Sequence, residues 1–185
     1  MTPDGLRIGD KEYQFDAIVF ATGFDAMTGA LVAVDIEGRN GITLKQKWEA
    51  GTRTYLGIAV PGFPNFYTIT GPQSPSVFSN MMISIEQHVD WVADCMVNMR
   101  SSGKTVIEAT QEAEDFWCEH NTEAGNATLY PLANSWYMGS NVPGKPRVLM
   151  PYSGGVGVYR GECDDIAADN YRGFEMREAR AAALV

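Results

Sequence analysis

Two short apolar runs limit what this sequence can fold into. Residues 17–21, "AIVFA", and residues 64–70, "PNFYTIT", have the composition of strands that are buried within a parallel sheet. The residues between them, 25–62, are glycine-rich and irregular. Because each parallel neighbour needs its own crossover connection, these two strands alone do not make a closed sheet. The sequence therefore predicts part of an α/β fold whose sheet has further strands that these 185 residues do not obviously supply.

Shorter patterns predict the elements around these runs. Alternating residues on either side of Gly9 and Asp10 indicate a hairpin over residues 6–15. Residues 41–51 are typical of a short helix that ends at Gly51, residues 147–152 of a short strand, and residues 175–185 of a surface helix.

The longest periodic pattern predicts a helix that ends at Gly103. Its apolar residues are spaced by three and four, which places them on one face that we expect to be buried. They are Phe78, Met82, Ile85, Val89, Val92, Met96 and Met99. Ser74 followed by Pro75 is a candidate start for this helix, with Ser76 and Ser79 as alternative caps.

A second helix is predicted to start at Thr110, because acidic residues follow in the first turn, where the helix dipole favours negative charge. Its expected buried face comprises Ala113, Phe116, Trp117, His120 and Ala124. We interpret His88 and His120 as structural helix residues, with His120 in the core.

The segment between the second apolar run and the long helix is an elbow of small and stiff residues, Gly71-Pro72 and then Pro75. At such a junction the first N–H groups of the helix have no partner within the helix, and the helix dipole adds about half a positive charge. An elbow of this kind favours an electron-rich ligand group at the start of the helix.

Composition excludes several classes of function. Fourteen basic and 23 acidic residues give a net charge of −9 without a basic run, which argues against nucleic acid or anionic lipid as a partner. No apolar stretch approaches the roughly 20 residues of a membrane span. Three widely spaced cysteines indicate a reducing, cytoplasmic location.

Two local patterns carry no site of their own. Cys118 and His120 are two positions apart and point to different sides of a helix, so we expect no metal site. The run Gly155–Gly161 has the spacing G-x-G-x-x-x-G, which differs from the dinucleotide fingerprint and is typical of a flexible turn.

Three ordered motifs together resemble one enzyme family. "DAIVFATGFDAMTGAL", "TYLGIAVPGFPNFYTITGPQSPSVFSNMMISIEQHVDWV" and "TLYPLANSWYMGSNVPGKPRV" are similar to the C-terminal portion of Baeyer–Villiger monooxygenases, flavoproteins of the phenylacetone and cyclohexanone monooxygenase type. The resemblance runs from about Gly5 to Phe174.

The resemblance implies an enzyme with two Rossmann-like nucleotide sites, one for FAD and one for NADPH. In such enzymes reduced FAD activates O2, and one oxygen atom is inserted next to a ketone carbonyl to give an ester or lactone. The glycine fingerprints and the catalytic arginine of the family lie upstream of the matched part, and this sequence contains neither. We therefore expect no catalytic residue in this chain, and we expect the chain to need the rest of the FAD and NADP domains for activity.

Site residues follow from the resemblance position by position. It implies that Met81, through its backbone, and Asn80 contact FAD, and that Trp136 and Lys145 on a mobile loop contact NADP. It also implies a substrate pocket lined by Ser76, Val77 and Phe78, with Phe24 as a further lining residue.

The same resemblance implies a division of the chain. Residues 1–24 would end the NADP-binding domain and return to the FAD domain, and residues 25–104 would complete the FAD-binding domain. Residues 105–185 would form a helical and loop region, with the NADP-contacting control loop at about 130–146.

Two alternatives stay open at this stage. The chain is also compatible with a segment of an N-hydroxylating or other flavin monooxygenase, although the tryptophan-bearing loop argues against it. The other alternative is a non-catalytic fragment that binds a partner or has no role, in which unpaired strand edges would promote self-association.

Overall fold

The computed structural model describes residues 1–75 and 79–179, which form a mixed α/β segment. Its strands are β1 (Gly5–Ile8), β2 (Lys11–Gln14), β3 (Val106–Ala109) and β4 (Phe174–Arg177). Its helices are α1 (Gly29–Val32), α2 (Leu44–Lys47), α3 (Met81–Ser101), α4 (Gln111–Asn126) and α5 (Val156–Ala168). The strands make two separate antiparallel pairs, β1–β2 and β3–β4. The predicted α/β class is confirmed.

The N-terminal hairpin forms as predicted, with Ile8 opposite Lys11 around the turn at Gly9 and Asp10. The strand predicted at residues 17–21 does not form, and the side chains of Val19 and Phe20 are 87% and 66% exposed. That prediction is wrong for the described chain because no strand within residues 1–75 and 79–179 pairs with this run.

The second predicted strand, residues 64–70, is also irregular. Asn65 and Thr70 have φ angles of 58° and 51°, and this left-handed backbone interrupts an extended chain. The segment is instead fixed by single bonds to different parts of the fold: the Asn65 N–H donates to the Ile107 carbonyl at 2.9 Å, and the Thr68 N–H to the Ile58 carbonyl at 2.8 Å.

The long helix forms, but its cap and its buried face differ from the prediction. Asn80 is the N-cap, and the helix ends before Gly103, whose φ is 68°. Over most of the helix the buried face lies one residue towards the N-terminus of the predicted one, and the two share Met99. The buried residues are Ser84, Gln87, His88, Trp91, Cys95 and Met99. Of the predicted face, Met99 is buried as expected and Val92 packs at the margin of the core, but Met82, Val89 and Met96 are between 49% and 62% accessible. We call these three residues the outer stripe of α3.

Helix α4 begins at Thr110 as predicted, and the Thr110 hydroxyl accepts the Ala113 N–H at 3.2 Å. Trp117 is fully buried, whereas Phe116 is 63% exposed and the side chain of His120 is 31% exposed. The predicted core position of His120 is therefore wrong, because its ring lies at the edge of the core between α4 and α5. There His120 Nε2 lies 3.2 Å from Glu162 Oε1.

The C-terminal part departs further from the predictions. The run Gly155–Gly161 is the start of α5 and not a flexible turn. Gly155 is the N-cap with a positive φ, and a Cβ atom at Gly157 or Gly161 would meet no neighbouring atom within 4 Å. Residues 174–177 are strand β4, paired with β3, and not part of a surface helix; residues 180–185 lie outside the described residues. The helix predicted at 41–51 is shorter, as α2, and starts with a capping box between Thr43 and Gln46.

One aromatic core holds these elements together. Trp91 of α3, Trp117 of α4 and Tyr159 of α5 meet in it, and the Trp91 indole N–H donates to the Cys163 carbonyl at 2.9 Å. A smaller cluster packs α2 against the segment before the elbow through Leu44, Trp48, Val60 and Phe63. Within residues 1–75 and 79–179, no helix is long and apolar enough to cross a bilayer.

Candidate functional site

The elbow, residues 70–75, is a strained and buried stretch of backbone. Thr70 and Gln73 both have left-handed φ angles, 51° and 69°, which non-glycine residues rarely adopt and which are unfavourable for a β-branched threonine. Residues 71–75 are all buried. Backbone strain of this kind persists only where surrounding contacts over-determine it, and it is concentrated at functional sites.

Gln73 supplies much of that over-determination. Its side-chain oxygen accepts the Thr54 N–H at 2.8 Å, its amide group contacts the Cys118 sulfur at 3.3 Å, and its carbonyl accepts the Trp117 indole N–H at 3.0 Å. Burial raises the pKa of the Cys118 thiol, so this contact is made by the neutral thiol. The buried amide thereby fixes the middle of the elbow from two sides.

His88 fixes the beginning of the elbow. Its Nδ1 atom accepts the Thr70 N–H at 3.0 Å, and its ring is completely buried. Burial lowers the His88 pKa to about 4, against the opposing effect of the Thr68 backbone. The imidazole is therefore neutral near pH 7.

The elbow leads to the start of α3, where two predicted cofactor residues lie. The Asn80 side chain accepts the Met82 N–H at 3.0 Å and so caps its own helix, and Met81, half-buried, is the first helical residue. The predicted pocket residues Ser76, Val77 and Phe78 lie outside the described residues. A cavity of about 200 Å³ adjoins this region, and its lining includes Pro75, Ser79, Tyr130 and Tyr152.

The loop predicted at about 130–146 contains two turns of 3-10 helix, Tyr130–Leu132 and Trp136–Met138. Arg147 holds it together from its C-terminal side. The Arg147 guanidinium donates to the Asn134 side-chain oxygen at 2.8 Å and to the Ala133 carbonyl at 3.2 Å. The loop is therefore a folded unit, although it has no long regular element.

Trp136 is half-buried and stacks on the neighbouring Tyr137, with ring centroids 3.9 Å apart and an interplanar angle of 30°. Gly139, directly after this turn, has a φ of 72°. A side chain there would come within 2.8 Å of the Pro146 carbonyl. Gly139 thus lies so close to the C-terminal end of the loop that only glycine fits there.

Lys145 and Phe24 lie at a different edge of the loop. The Lys145 ammonium forms an ion pair with Asp25 and donates to the Thr28 hydroxyl at 2.7 Å, and only 13% of its side chain is exposed. The Asn141 amide donates to the Phe24 carbonyl at 3.1 Å, while the Phe24 ring is 81% exposed. We call this pair of contacts the loop anchor. It borders a cavity of about 430 Å³ whose lining includes Trp48 and Pro143.

A single residue joins the loop to the elbow. The Met150 N–H donates to the Tyr137 carbonyl at 2.9 Å, and the Met150 carbonyl accepts the Gln73 N–H. Two residues later, the Tyr152 N–H donates to the Ser74 carbonyl at 2.8 Å. The sequence predicted a short strand at residues 147–152, but these residues do not form one. They are a connector that bonds first to the loop and then to the elbow. The structure brings the Trp136 turn and the elbow together through it.

Four residues of this site were missed in the sequence: Gln73, His88, Arg147 and Met150. Their contacts join parts of the chain that are distant in sequence or depend on a left-handed backbone, and no local pattern marks them. Among the described residues, no group of three or more His, Cys, Asp or Glu side chains is arranged to hold a metal ion.

No protein-family model matches the chain. Individual proteins do match it over nearly its whole length. It is 44% identical over 175 residues to the acetone monooxygenase (methyl acetate-forming) of Gordonia sp. strain TY-5, which covers 94% of this chain and 33% of that protein. It is 40% identical over 171 residues to a Baeyer–Villiger monooxygenase of Pseudooceanicola batsensis, which covers 92% of this chain and 31% of that protein.

Solved structures agree. An oxidized steroid monooxygenase bound to NADP superposes with a TM-score of 0.85 at 47% identity, over 95% of this chain and 32% of that one. OTEMO in complex with FAD and NADP superposes with a TM-score of 0.85 at 38% identity, also over 95% and 32% of the two chains. The resemblance to Baeyer–Villiger monooxygenases is confirmed, and the chain spans about a third of the length of the proteins it matches.

One relative bears on the alternative chemistry. The phenazine N-monooxygenase PhzNO1 of Lysobacter antibioticus is 37% identical over 174 residues, covering 94% of this chain and 31% of that protein. Because an N-oxygenating enzyme matches almost the whole chain, the tryptophan-bearing loop does not by itself exclude oxidation at nitrogen.

Proposed function

We propose that this chain is a segment of an FAD- and NADPH-dependent Baeyer–Villiger monooxygenase, an enzyme that inserts one oxygen atom of O2 next to a ketone carbonyl and releases an ester or lactone. The observation that carries the proposal is the 44% identity to an acetone monooxygenase over 94% of the chain. The substrate is a small ketone, and the location is the cytoplasm. Three buried free cysteines support that location.

The segment's own contribution is to hold cofactors and exclude water, since it brings no catalytic side chain of its own. Bound flavin supplies the activation of O2. The start of α3 offers backbone N–H groups and a positive dipole end to the flavin's pyrimidine edge, with Met81 and Asn80 as the contacts. Ser76, Val77, Phe78 and Phe24 line the ketone pocket. Trp136 offers an indole N–H and a flat face to NADP from the loop.

The domain division predicted from the sequence belongs to the same proposal. Residues 1–24 lead from the NADP domain into the FAD domain, residues 25–104 complete the FAD domain, and residues 105–185 carry the control loop at about 130–146. The connector through Met150 supports a shared role of the last two parts, because one backbone unit bonds to both the loop and the elbow.

The rest of the same enzyme is the partner that this segment requires. The chain spans about a third of its relatives, and the apolar residues exposed in its described part include residues 15–24, with Val19 and Phe20, and the outer stripe of α3. Exposed apolar side chains are often found at interfaces. We propose that the remaining FAD and NADP domains cover them.

A chimera tests the proposed function. In it, this chain replaces the matching third of the Gordonia acetone monooxygenase. We expect the purified chimera to show the flavin absorption band and to oxidise NADPH in the presence of a ketone, with an ester as product. The control is the same enzyme with that third deleted, which we expect to lose both properties.

Two outcomes contradict the proposal. A folded chimera that holds FAD but forms no ester from any ketone tested would exclude the Baeyer–Villiger reaction, and N-oxide formation from a phenazine would favour the second candidate, which the PhzNO1 match supports. Flavin binding by the 185-residue chain alone would contradict its dependence on the other domains.

Two substitutions in the chimera test the role of Lys145. Because its ammonium is occupied by Asp25 and Thr28, we expect it to act on NADP by anchoring the loop. Lys145→Met and Asp25→Asn should then raise the KM for NADPH by similar factors, each about threefold to tenfold, since either change removes the ion pair between these two residues. A tenfold larger effect of Lys145→Met than of Asp25→Asn would indicate direct contact with a cofactor phosphate instead.

A further inference from the structure

We propose that His88 is a positioning residue: with Tyr159 it fixes the backbone of the elbow and thereby the start of α3. The link from this positioning to flavin binding rests on the proposed function, in which the start of α3 faces the flavin. His88 itself lies in the second turn of α3, is fully buried, and accepts a hydrogen bond from the Thr70 N–H of the elbow. It acts on the site through backbone geometry.

The hydrogen bonds around His88 favour one arrangement of protons. Nδ1 accepts the Thr70 N–H at 3.0 Å, so the ring proton is on Nε2. Nε2 lies 2.6 Å from the Tyr159 hydroxyl oxygen and donates to it. The Tyr159 hydroxyl then donates to the Leu56 carbonyl at 2.5 Å.

The other tautomer leaves bonds unmade. A proton on Nδ1 would deprive the Thr70 N–H of its acceptor. The single Tyr159 proton would also have to serve both His88 Nε2 and the Leu56 carbonyl. Since these groups are buried, each missing bond is costly, and the first arrangement is the one that satisfies all of them.

The bond between Thr70 and His88 joins the two ends of one part of the candidate site, from the elbow to the start of α3. Thr70 is the first residue of the elbow and has the strained φ of 51°, and His88 is 18 residues further along the chain. The residues between them include the elbow, the implied pocket residues and the first turn of α3. Because Tyr159 is on α5, the position of that helix is transmitted to the elbow through one imidazole ring.

Two amide substitutions separate the two sides of the ring. His88→Asn places an oxygen near the position of Nδ1 and keeps an acceptor for the Thr70 N–H. His88→Gln places its amide near the position of Nε2, so it keeps the Tyr159 contact and loses the Thr70 contact. Both variants bury a smaller amide at the same site, so each controls for the loss of the ring in the other.

The first measurement is made on the 185-residue chain. We expect the Thr70 amide proton to exchange slowly in the unsubstituted chain and in His88→Asn, and at least about tenfold faster in His88→Gln, since a tenfold change corresponds to loss of one modest bond. Exchange that changes equally in both variants would overturn the assignment of the Thr70 bond. This measurement does not depend on flavin binding.

The second measurement is made on the chimera. We expect His88→Gln to raise the dissociation constant for FAD about tenfold and His88→Asn by no more than about threefold, at matched unfolding midpoints. Equal FAD affinities in the two variants, with different Thr70 exchange, would overturn the link to the site. Loss of FAD binding already in the unsubstituted chimera would count against the proposed function, and the exchange result would still decide the geometry.

Discussion

Replacing Gly57 with alanine is expected to lower the free energy of unfolding by about 3–5 kcal/mol, since it combines a left-handed backbone with overpacking. Gly57 has a φ of 67° and lies against the elbow. A Cβ atom there would lie 2.6 Å from Ser74 Cβ and 2.7 Å from the Ser74 backbone nitrogen. These neighbours cannot move aside easily, because the Ser74 side chain and carbonyl are both held by hydrogen bonds within the fold.

Gly103 provides the matched control. Its φ of 68° is nearly the same as that of Gly57, but no atom lies within 4 Å of the position where a Cβ would be. Gly103→Ala should therefore cost only about 1 kcal/mol, the price of the left-handed conformation. Denaturant unfolding of both variants gives the difference, which measures the close approach of Gly57 to the elbow. Equal losses in the two variants would show that this approach does not constrain the fold.

The second large effect is a dependence of stability on pH through His88. The His88 pKa is lowered to about 4 in the folded chain, from an ordinary value of 6.5. Between these two pH values the unfolded chain binds a proton that the folded chain does not, so stability is fully present above pH 6.5 and is lost as the pH falls to 4. The loss should reach about 3 kcal/mol, because each pH unit of separation is worth about 1.4 kcal/mol.

Unfolding measured at several pH values between 6.5 and 4 tests this, with two variants for comparison. His88→Asn should remove most of the slope attributable to the histidine, because an amide does not titrate. His120→Asn removes the other histidine, at the edge of the core, and should leave that slope in place. If His88→Asn and the unsubstituted chain lose stability in parallel, the buried ring is not the source.

Elements whose ends are fixed by neighbouring residues could be predicted from the sequence. Thr110 caps α4, Gly103 follows the end of α3, and the turn at Gly9 and Asp10 closes a hairpin, each by contacts within a few residues. The elbow was also predicted as an elbow, from its glycine and prolines. What failed was the choice between two neighbouring faces of α3, because both carry apolar residues.

That choice depends on partners far along the chain. His88 and Gln87 are polar and yet buried, while the more apolar outer stripe is exposed. His88 is compensated by bonds to Thr70 and Tyr159, 18 and 71 residues away, which hydrophobic periodicity does not reveal. The strand predicted at residues 17–21 failed for a related reason, since a strand forms only where another strand pairs with it.

The resemblance predicts a loop at about 130–146 and the composition predicts the elbow, but neither indicates what joins them. Arg147 holds the loop through a side-chain hydrogen bond to Asn134, and Met150 joins the loop to Gln73 through backbone hydrogen bonds. Neither set of bonds is visible in the sequence pattern. The left-handed angles of Thr70 and Gln73 are likewise products of the packed fold, because neither residue type favours them by itself.

The loop anchor has a consequence for the order of folding. Lys145 and Asp25 are separated by 120 residues, and Asn141 and Phe24 by 117, so these contacts close loops nearly as long as two thirds of the chain. Contacts of such sequence separation carry a high closure entropy and form after local helices and hairpins. The loop anchor is therefore expected to be a late step of folding, and the loop that bears Trp136 should reach its final position only once Lys145 and Asn141 have met Asp25 and Phe24.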